Sequence, residues 1–241
     1  MCNRKHQSDK AVQLWLDLHG VAIDADWTDR PRPGQIFPTG KKTPRYGLVV
    51  RRQQDGNRPL VASLMEWGFP TQVPSARDPS VKLTKYVTNA RNLKSPFWRS
   101  SLANPVNRCL VPFTHFAEPH PEGGKGDDGM PKQAWFCLPD QPVGVFAGFW
   151  RPTERGPAYA FATCEPNAIV GPIHPKAMPA ILKPGEWDQW LDGTAEEAAA
   201  LVRPYDGPMD MQVTTPRLSD GGALDVVVDD AEASAEQGKL L

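Results

Sequence analysis

The sequence lacks the features of a membrane protein, of a secreted protein and of a protein stabilised by a structural metal site. No run approaches the roughly 20 apolar residues of a membrane span, and the opening Met-Cys-Asn-Arg-Lys-His has no apolar signal region. Only four cysteines occur in 241 residues, at positions 2, 109, 137 and 164, and none forms a C-x-x-C pair. We therefore expect a reduced, cytoplasmic protein with no disulfide framework, structural metal or cofactor.

Positive charge is concentrated in the first half of the chain, although the formal net charge of the whole is −1. Residues 1–110 contain 18 Lys and Arg against 8 Asp and Glu, a net charge of +10. The net charge is −6 over residues 111–218 and −5 over residues 219–241. A basic N-terminal half can supply a phosphate-binding face whatever the total charge is. A solvated charged surface is the alternative interpretation.

The length, together with a hydrophobic content of 40%, suits one domain with a substantial core. We expect a monomer with a single domain over residues 2–218 and an acidic, disordered tail over residues 219–241. Two roles remain open for the tail: masking a basic groove, or binding a replication-fork protein.

The hydrophobic pattern predicts an α+β fold in which strands dominate the middle of the chain. A helix is expected over residues 8–19, with Ser8 as its N-cap, apolar residues at helical spacing and Gly20 as its stop. The β-type runs are 46–52, 60–69, 133–138, 143–150 and 159–164, with a last strand over 209–214. Short helices are expected over 186–191 and 195–202, and loops over 20–45 and 119–132.

Cys2 is the one cysteine in a polar, basic context, and it becomes the N-terminal residue if Met1 is removed. An N-terminal cysteine is a 1,2-aminothiol. Its amine condenses with an aldehyde to an imine, and its thiol then attacks the imine carbon and closes a thiazolidine ring. The amine and the thiol have ordinary pKa values near 8 and 8.5, so both are usable at neutral pH. An ordinary surface thiol is the alternative.

Five short motifs follow one another in an order typical of one protein family. They are Met1-Cys2-Asn3-Arg4, Glu66-Trp67-Gly68-Phe69, Thr88-Asn89-Ala90-Arg91, Arg108-Cys109-Leu110-Val111-Pro112 with Phe116-Ala117-Glu118, and Thr163 with Ile173-His174 and Met178-Pro179. Together they resemble the SRAP family, the SOS response-associated peptidases or abasic-site sensors. The resemblance implies one α+β domain built on a curved, barrel-like, mainly antiparallel sheet with short flanking helices.

The resemblance also implies four catalytic residues. Cys2 would be the nucleophile, and Glu118 would position its α-amine and stabilise the cationic imine. His174 would act as general acid and base in opening the deoxyribose ring of an abasic site, which releases the aldehyde. Asn89 would hydrogen-bond the opened sugar or the backbone of Cys2.

Five further residues are implied as DNA-binding. Arg4 and Arg91 would each hold a flanking phosphate. Trp67 would stack on a base beside the lesion, with a place in the core as its alternative. Thr163 would donate to a phosphate, unless it only packs in its strand. Lys176 would contact a phosphate where the family has an Arg, but without the bidentate geometry of Arg.

By this resemblance the protein senses abasic sites in single-stranded DNA and shields them in a covalent thiazolidine crosslink through Cys2. The sequence departs from the family at Asn3, Leu93 and Pro119, and the stretch after His174 is one residue longer. Three alternatives remain open. They are a cysteine peptidase with an N-terminal nucleophile, an inactive relative that binds single-stranded DNA, and a metal site formed by His115, Glu118 and His120.

Overall fold

The structure is a computed structural model that describes residues 4–24, 34–40, 43–53, 57–126, 129 and 131–214. Its strands are β1 (Arg4–His6), β2 (Ala22–Ile23), β3 (Gln35–Ile36), β4 (Tyr46–Arg52), β5 (Leu60–Trp67), β6 (Phe69–Pro74), β7 (Lys82–Val87), β8 (Asn89–Ala90), β9 (Arg108–Phe113), β10 (His115–Pro119), β11 (Gln133–Cys137), β12 (Gly144–Thr153), β13 (Gly156–Cys164), β14 (Met178–Pro179), β15 (Ile181–Leu182) and β16 (Asp210–Thr214). Its helices are α1 (Asp9–Leu18), α2 (Pro96–Ala103), α3 (Trp187–Asp192) and α4 (Ala195–Ala200).

Five strands close into a barrel in the order β13, β12, β9, β4 and β5. Neighbours pair antiparallel, except that β5 returns to β13 as a parallel pair through Glu66 and Trp67. The prediction of a curved, barrel-like, mainly antiparallel α+β domain with short helices is therefore confirmed.

The barrel strands are apolar on both faces because each face is buried against a different layer. One face packs against α1, α2, α3 and α4, and the other packs with Phe116 and Phe136 of a second sheet. Close packing on the second face depends on glycine. A Cβ at Gly144 would lie 2.4 Å from Cζ of Phe113, whose ring stacks on Phe146 at a centroid distance of 4.0 Å. A larger residue at 144 would therefore displace this aromatic core.

The second sheet has the order β16, β11, β10, β1 and β3, and all its pairs are antiparallel. Its register sets Arg4 opposite Ala117 and Ala134 opposite Glu118. The first described residues of the chain thus lie beside the strand that carries Glu118. This pairing of distant segments positions the candidate site.

A hairpin of β6 and β7 forms its own two-stranded sheet. It leaves the barrel at Gly68, whose backbone has a φ of +120°, a conformation that residues with a side chain rarely adopt. At its base, Phe69 is fully buried and packs against Trp98, with the guanidinium of Arg151 4.3 Å from the centre of its ring. The root of the hairpin is therefore fixed, while its outer residues are exposed.

Most of the strands and helices predicted from the pattern occur close to their expected positions. Helix α1 begins after Ser8, although no side-chain hydrogen bond from Ser8 caps it, and its apolar stripe is buried. Strands β1, β9 and β10, helix α2 and the β6–β7 hairpin were missed, as were the two-residue strands β2 and β3 within the predicted loop 20–45 and β8, β14 and β15. None of the described helices has the length and apolar character needed to cross a membrane. The predicted tail, 219–241, lies outside the described residues.

Candidate active site

A cleft of about 940 Å³ opens where the end of β10 meets β1, the segment before β4 and the hairpin. We call it the main cleft. It brings together three of the residues predicted from sequence, Arg4, Glu118 and His174. Its remaining walls include residues to which the sequence interpretation gave no role in the site. These include Phe37, Arg45, Lys85, Tyr86 and Thr88.

Glu118 is a carboxyl group placed on the cleft by a buried strand. The residue is only 1% exposed, and burial raises its pKa to about 7, while the positive charge of the amino terminus of the chain opposes that shift. A carboxyl group with this pKa can both give and accept a proton near neutral pH. It can also stabilise a positive charge that forms beside it, because a poorly solvated carboxylate attracts a cation strongly.

His174 reaches the cleft from the turn that precedes β14. Its Nδ1 lies 2.8 Å from the carbonyl oxygen of Ala177. If Nδ1–H donates there, Nε2 is the nitrogen that can take up a proton. Desolvation lowers the pKa of His174, so the imidazole is neutral at pH 7 and suited to act as a base.

Asn167 was not identified from sequence, yet it holds the turn that carries His174. Its side-chain oxygen accepts hydrogen bonds from the backbone N–H groups of Ile169 and Val170 at 3.2 and 2.9 Å. Its amide nitrogen donates to the carbonyl of Tyr205 at 3.0 Å. The signal available in the sequence was an Asn directly after Pro166, which favours a side-chain-capped turn.

The cationic wall of the main cleft is built around Phe37. The guanidinium carbons of Arg4 and Arg45 lie 5.0 and 4.9 Å from the centre of its ring, within the range of cation–π attraction. The backbone of Arg45 is fixed because its N–H donates to Thr39 and its carbonyl accepts from Trp67. The cleft thus presents two ordered guanidinium groups to an anionic ligand.

Asn89 lies behind the wall of the main cleft. It is 8% exposed, it pairs with Phe161 of the barrel, and its Nδ2 donates to Oγ1 of Thr88 at 3.0 Å. Thr88 itself lines the cleft. Contact between Asn89 and a bound sugar therefore remains a prediction. In the structure, the side chain of Asn89 supports Thr88.

Arg91 and Thr163 line a second, smaller cleft of about 460 Å³. Arg91 donates to the backbone carbonyl of Lys176, whose side chain is exposed. Since His174 and Lys176 belong to one turn, this turn lines the main cleft through His174 and contacts Arg91 of the second cleft through Lys176. Thr163 is only 3% exposed, which leaves its hydroxyl little surface for a phosphate.

Trp67 does not line either cleft. It is fully buried and lies nearly parallel to Tyr159, with ring centroids 6.1 Å apart and an interplanar angle of 17°. Its Nε1 donates to the carbonyl of Thr88 at 3.3 Å. A buried ring cannot stack on a base, so the alternative interpretation, a core tryptophan, fits better than the predicted platform.

The geometry of β10 does not support the metal-site alternative. Side chains alternate along a strand, so His115 and Glu118 point to opposite faces. His115 is 2% exposed, and burial lowers its pKa to about 3. His120 instead accepts a hydrogen bond from the N–H of Glu122. In the part of the chain that the structure describes, no three His, Cys, Asp or Glu side chains form a metal-binding group.

Cys2 and the departure at Asn3 lie outside the described residues. The other three cysteines are poor nucleophiles, because burial raises the pKa of each thiol. The pKa rises to about 11 in Cys137 and about 12 in Cys164, and in Cys109 it lies well above the ordinary value. None of these three thiols is primed for attack on an electrophile.

Solved structures share this fold. A protein from Bacteroides thetaiotaomicron is 21% identical, with a TM-score of 0.65 over 88% of this chain and 91% of that one. A protein from Bordetella bronchiseptica is 18% identical, with a TM-score of 0.65 over 89% and 100%. A phage-related protein from the same organism is 16% identical, with a TM-score of 0.57 over 92% and 98%.

No functionally curated protein matches the chain significantly by sequence. The family described as SOS response associated peptidase (SRAP) matches residues 1–218, nearly the whole chain. Membership of that family implies association with DNA and a peptidase-like function in the response to DNA damage. The chain belongs to the SRAP family.

Proposed function

We propose that the protein captures abasic sites in single-stranded DNA through Cys2 and shields them as a thiazolidine crosslink. The observation that carries this proposal is the convergence of Arg4, Glu118 and His174 on one cleft beside β1. Cys2 precedes Arg4 by two residues, a reach of about 7 Å in an extended chain. This reach supports the proposal that the aminothiol of Cys2 acts in the same cleft as the proton-transfer groups of Glu118 and His174.

The first step is opening of the abasic deoxyribose. Neutral His174 takes the proton of the anomeric hydroxyl, and a protonated group donates to the ring oxygen as the carbon–oxygen bond breaks. The raised pKa of Glu118 keeps part of its population protonated at neutral pH, so it can be that donor. The product is a free aldehyde and a hydroxyl group on the sugar.

Capture then follows in two bond-forming steps. The α-amine of Cys2 adds to the aldehyde and loses water to give an imine, whose positive charge the carboxylate of Glu118 stabilises. The thiol of Cys2 gives up its proton to a base and its sulfur adds to the imine carbon. The π electrons of the carbon–nitrogen double bond move onto the nitrogen, which becomes the neutral amine of the ring, and no oxidant or metal is needed.

The cationic wall suits a DNA backbone. The guanidinium groups of Arg4 and Arg45 both lie over the ring of Phe37 and line the cleft. Among the described residues that line it, the acidic one is Glu118, and it is buried. Phosphate contacts of this kind bind without reading sequence and weaken as salt is added. We therefore propose that binding precedes capture and is independent of the bases around the lesion.

The test is a denaturing gel with intact-mass analysis. Purified protein is mixed with a single-stranded oligonucleotide that contains one abasic site, and with an undamaged oligonucleotide of the same sequence as control. We expect a shifted band that needs both the lesion and Cys2, with Met1 absent from the mass. Persistent crosslinking by a Cys2→Ala variant would refute the mechanism.

Peptidase activity is the second candidate. The family description favours it, and the neutral imidazole of His174 also suits activation of a thiol for attack on an amide. The substrate separates the two functions. Cys2-dependent cleavage of a peptide library, together with no crosslink to abasic DNA by protein whose Cys2 is the N-terminus, would favour the peptidase.

A further inference from the structure

The β6–β7 hairpin forms one wall of the main cleft and extends beyond the candidate catalytic residues. Pro70 pairs with Tyr86, Gln72 with Thr84 and Pro74 with Lys82, so these pairs share one face of the hairpin. Tyr86 and Thr84 line the cleft. Lys82 therefore lies on the same face, one pair farther out.

The exposed charge of the hairpin is mainly positive. Its basic residues Arg77, Lys82 and Lys85 are exposed, and none of them forms an ion pair with another described residue. Its one acid, Asp78, accepts hydrogen bonds from the backbone N–H and the hydroxyl of Ser80 at 3.0 and 2.7 Å. The carboxylate thus stabilises the turn of the hairpin.

An aromatic ring accompanies these cations at the cleft. Tyr86 is half-buried, and the guanidinium of Arg155 lies 5.9 Å from the centre of its ring. A ring next to a row of cations is the combination that proteins use for single-stranded nucleic acid, because the ring contacts bases or sugars and the cations contact phosphates. The face made by Tyr86, Thr84 and Lys82 has the ring and one exposed cation, Lys82, while Lys85 lies on the opposite face of the hairpin.

We infer that the hairpin binds the single-stranded DNA that flanks the lesion on one side. Tyr86 contacts the nucleotide next to the cleft, and Lys82 contacts a backbone phosphate farther out. The two residues are four positions apart along the strand, a distance of about 13 Å, so only a flank of several nucleotides reaches Lys82. This inference rests on the proposed function for its substrate.

The first test measures noncovalent binding. Lys82→Glu is compared with Arg99→Glu, a matched control because Arg99 is exposed on α2 and lines neither cleft. Affinity for an undamaged single-stranded oligonucleotide is followed by fluorescence anisotropy over a range of salt. Lys82→Glu should weaken binding roughly tenfold at low salt and reduce the slope of log affinity against log salt by about 0.7. Equal effects of the two variants would overturn the inference.

The second test locates the flank. The rate of covalent capture is measured with the abasic site close to the 5′ end or close to the 3′ end. Lys82→Glu should slow capture of only one of these two oligonucleotides, the one that keeps the flank next to the hairpin. Slowing of both, or of neither, would contradict the assignment. A larger effect when that flank is made double-stranded would show that the hairpin binds duplex instead.

The two proposals fail in different ways. If neither the unaltered protein nor the variant crosslinks abasic DNA, but Lys82→Glu still weakens noncovalent binding, covalent capture is refuted. The inference that the hairpin binds single-stranded DNA is then retained. If capture is normal and Lys82→Glu behaves as Arg99→Glu does, only the hairpin surface is refuted. Absence of any single-strand binding by the unaltered protein would overturn the hairpin inference as well.

Discussion

The two faces of β10 carry ionisable groups whose pKa values shift in opposite directions. His115 and Glu118 lie three residues apart on one strand, and both are almost completely buried. Burial favours the neutral form of each, so it lowers the pKa of His115 to about 3 and raises that of Glu118 to about 7. His115 therefore does not titrate near pH 7, while Glu118 does.

The difference teaches that burial alone does not make a reactive group. His115 packs beside His6, with ring centroids 6.0 Å apart, on the face of β10 opposite to Glu118. Glu118 is equally buried but borders a cleft. A buried group becomes useful for chemistry when its pKa falls near the working pH and a substrate can reach it.

The largest expected effect is on the rate of capture. Glu118→Gln keeps the size of the side chain and removes its proton exchange and its negative charge. We expect capture of abasic DNA to slow about 100-fold or more, a barrier increase of about 3 kcal/mol. Gel-based capture rates would measure it. An unchanged rate would mean that Glu118 has no part in the chemistry.

The same variant should be more stable at alkaline pH. A raised carboxyl pKa gives stability that is present below about 4.5, the unfolded value, and is lost as pH rises through about 7. Gln carries no such penalty. At pH 8 we expect the free energy of unfolding of Glu118→Gln to exceed that of the unaltered protein by about 2 kcal/mol. Urea titrations at pH 5 and pH 8 would show the difference only at the higher pH.

His115 should govern part of the acid sensitivity. Because its pKa falls from 6.5 to about 3 on folding, its contribution is complete above pH 6.5 and is lost as pH falls towards 3. The loss approaches about 1.4 kcal/mol per pH unit. His115→Gln should flatten the pH dependence of unfolding below pH 6 without slowing capture at pH 7. A profile as steep as that of the unaltered protein would show that His115 is protonated in the folded state.

The smallest effect is expected at Asn167, which acts on the cleft only through a turn. Asn167→Ala removes the side-chain hydrogen bonds to Ile169 and Val170. We expect a loss of about 1 to 2 kcal/mol in unfolding free energy and a several-fold lower capture rate. Asn167→Asp keeps the accepting oxygen and should restore most of the rate. Failure of Asp to restore it would mean that the turn does not position His174.

The sequence predicted those parts of the fold in which one physical pattern dominates. The apolar stripe of α1 repeats at helical spacing, and the barrel strands are long apolar runs. Strand β10 was missed because both its faces are buried and it carries His115 and Glu118, so no alternation of polar and apolar residues marks it. Strand β9 contains Pro112, a residue that is uncommon inside strands and so weakens the strand pattern of this segment.

The candidate site divides in the same way. Motifs identified Glu118 and His174, whose chemistry requires particular side chains, and the structure brings them to one cleft. Phe37, Arg45 and Tyr86 were missed because distant segments bring them together, and their local sequences carry no signal of that meeting. Trp67 differs, since a family motif predicted contact with DNA and the structure buries its ring in the core.

Strand β1 has a consequence for how the protein is made. It pairs with β10, and Nδ1 of His6 lies 2.9 Å from Oγ1 of Thr114, 108 residues later in the chain. At about 5 to 20 residues per second, the ribosome needs roughly 5 to 20 seconds to synthesise that partner strand. Throughout this interval β1 can pair only with the two-residue strand β3, so an aminopeptidase can remove Met1 before β10 joins the other side of β1.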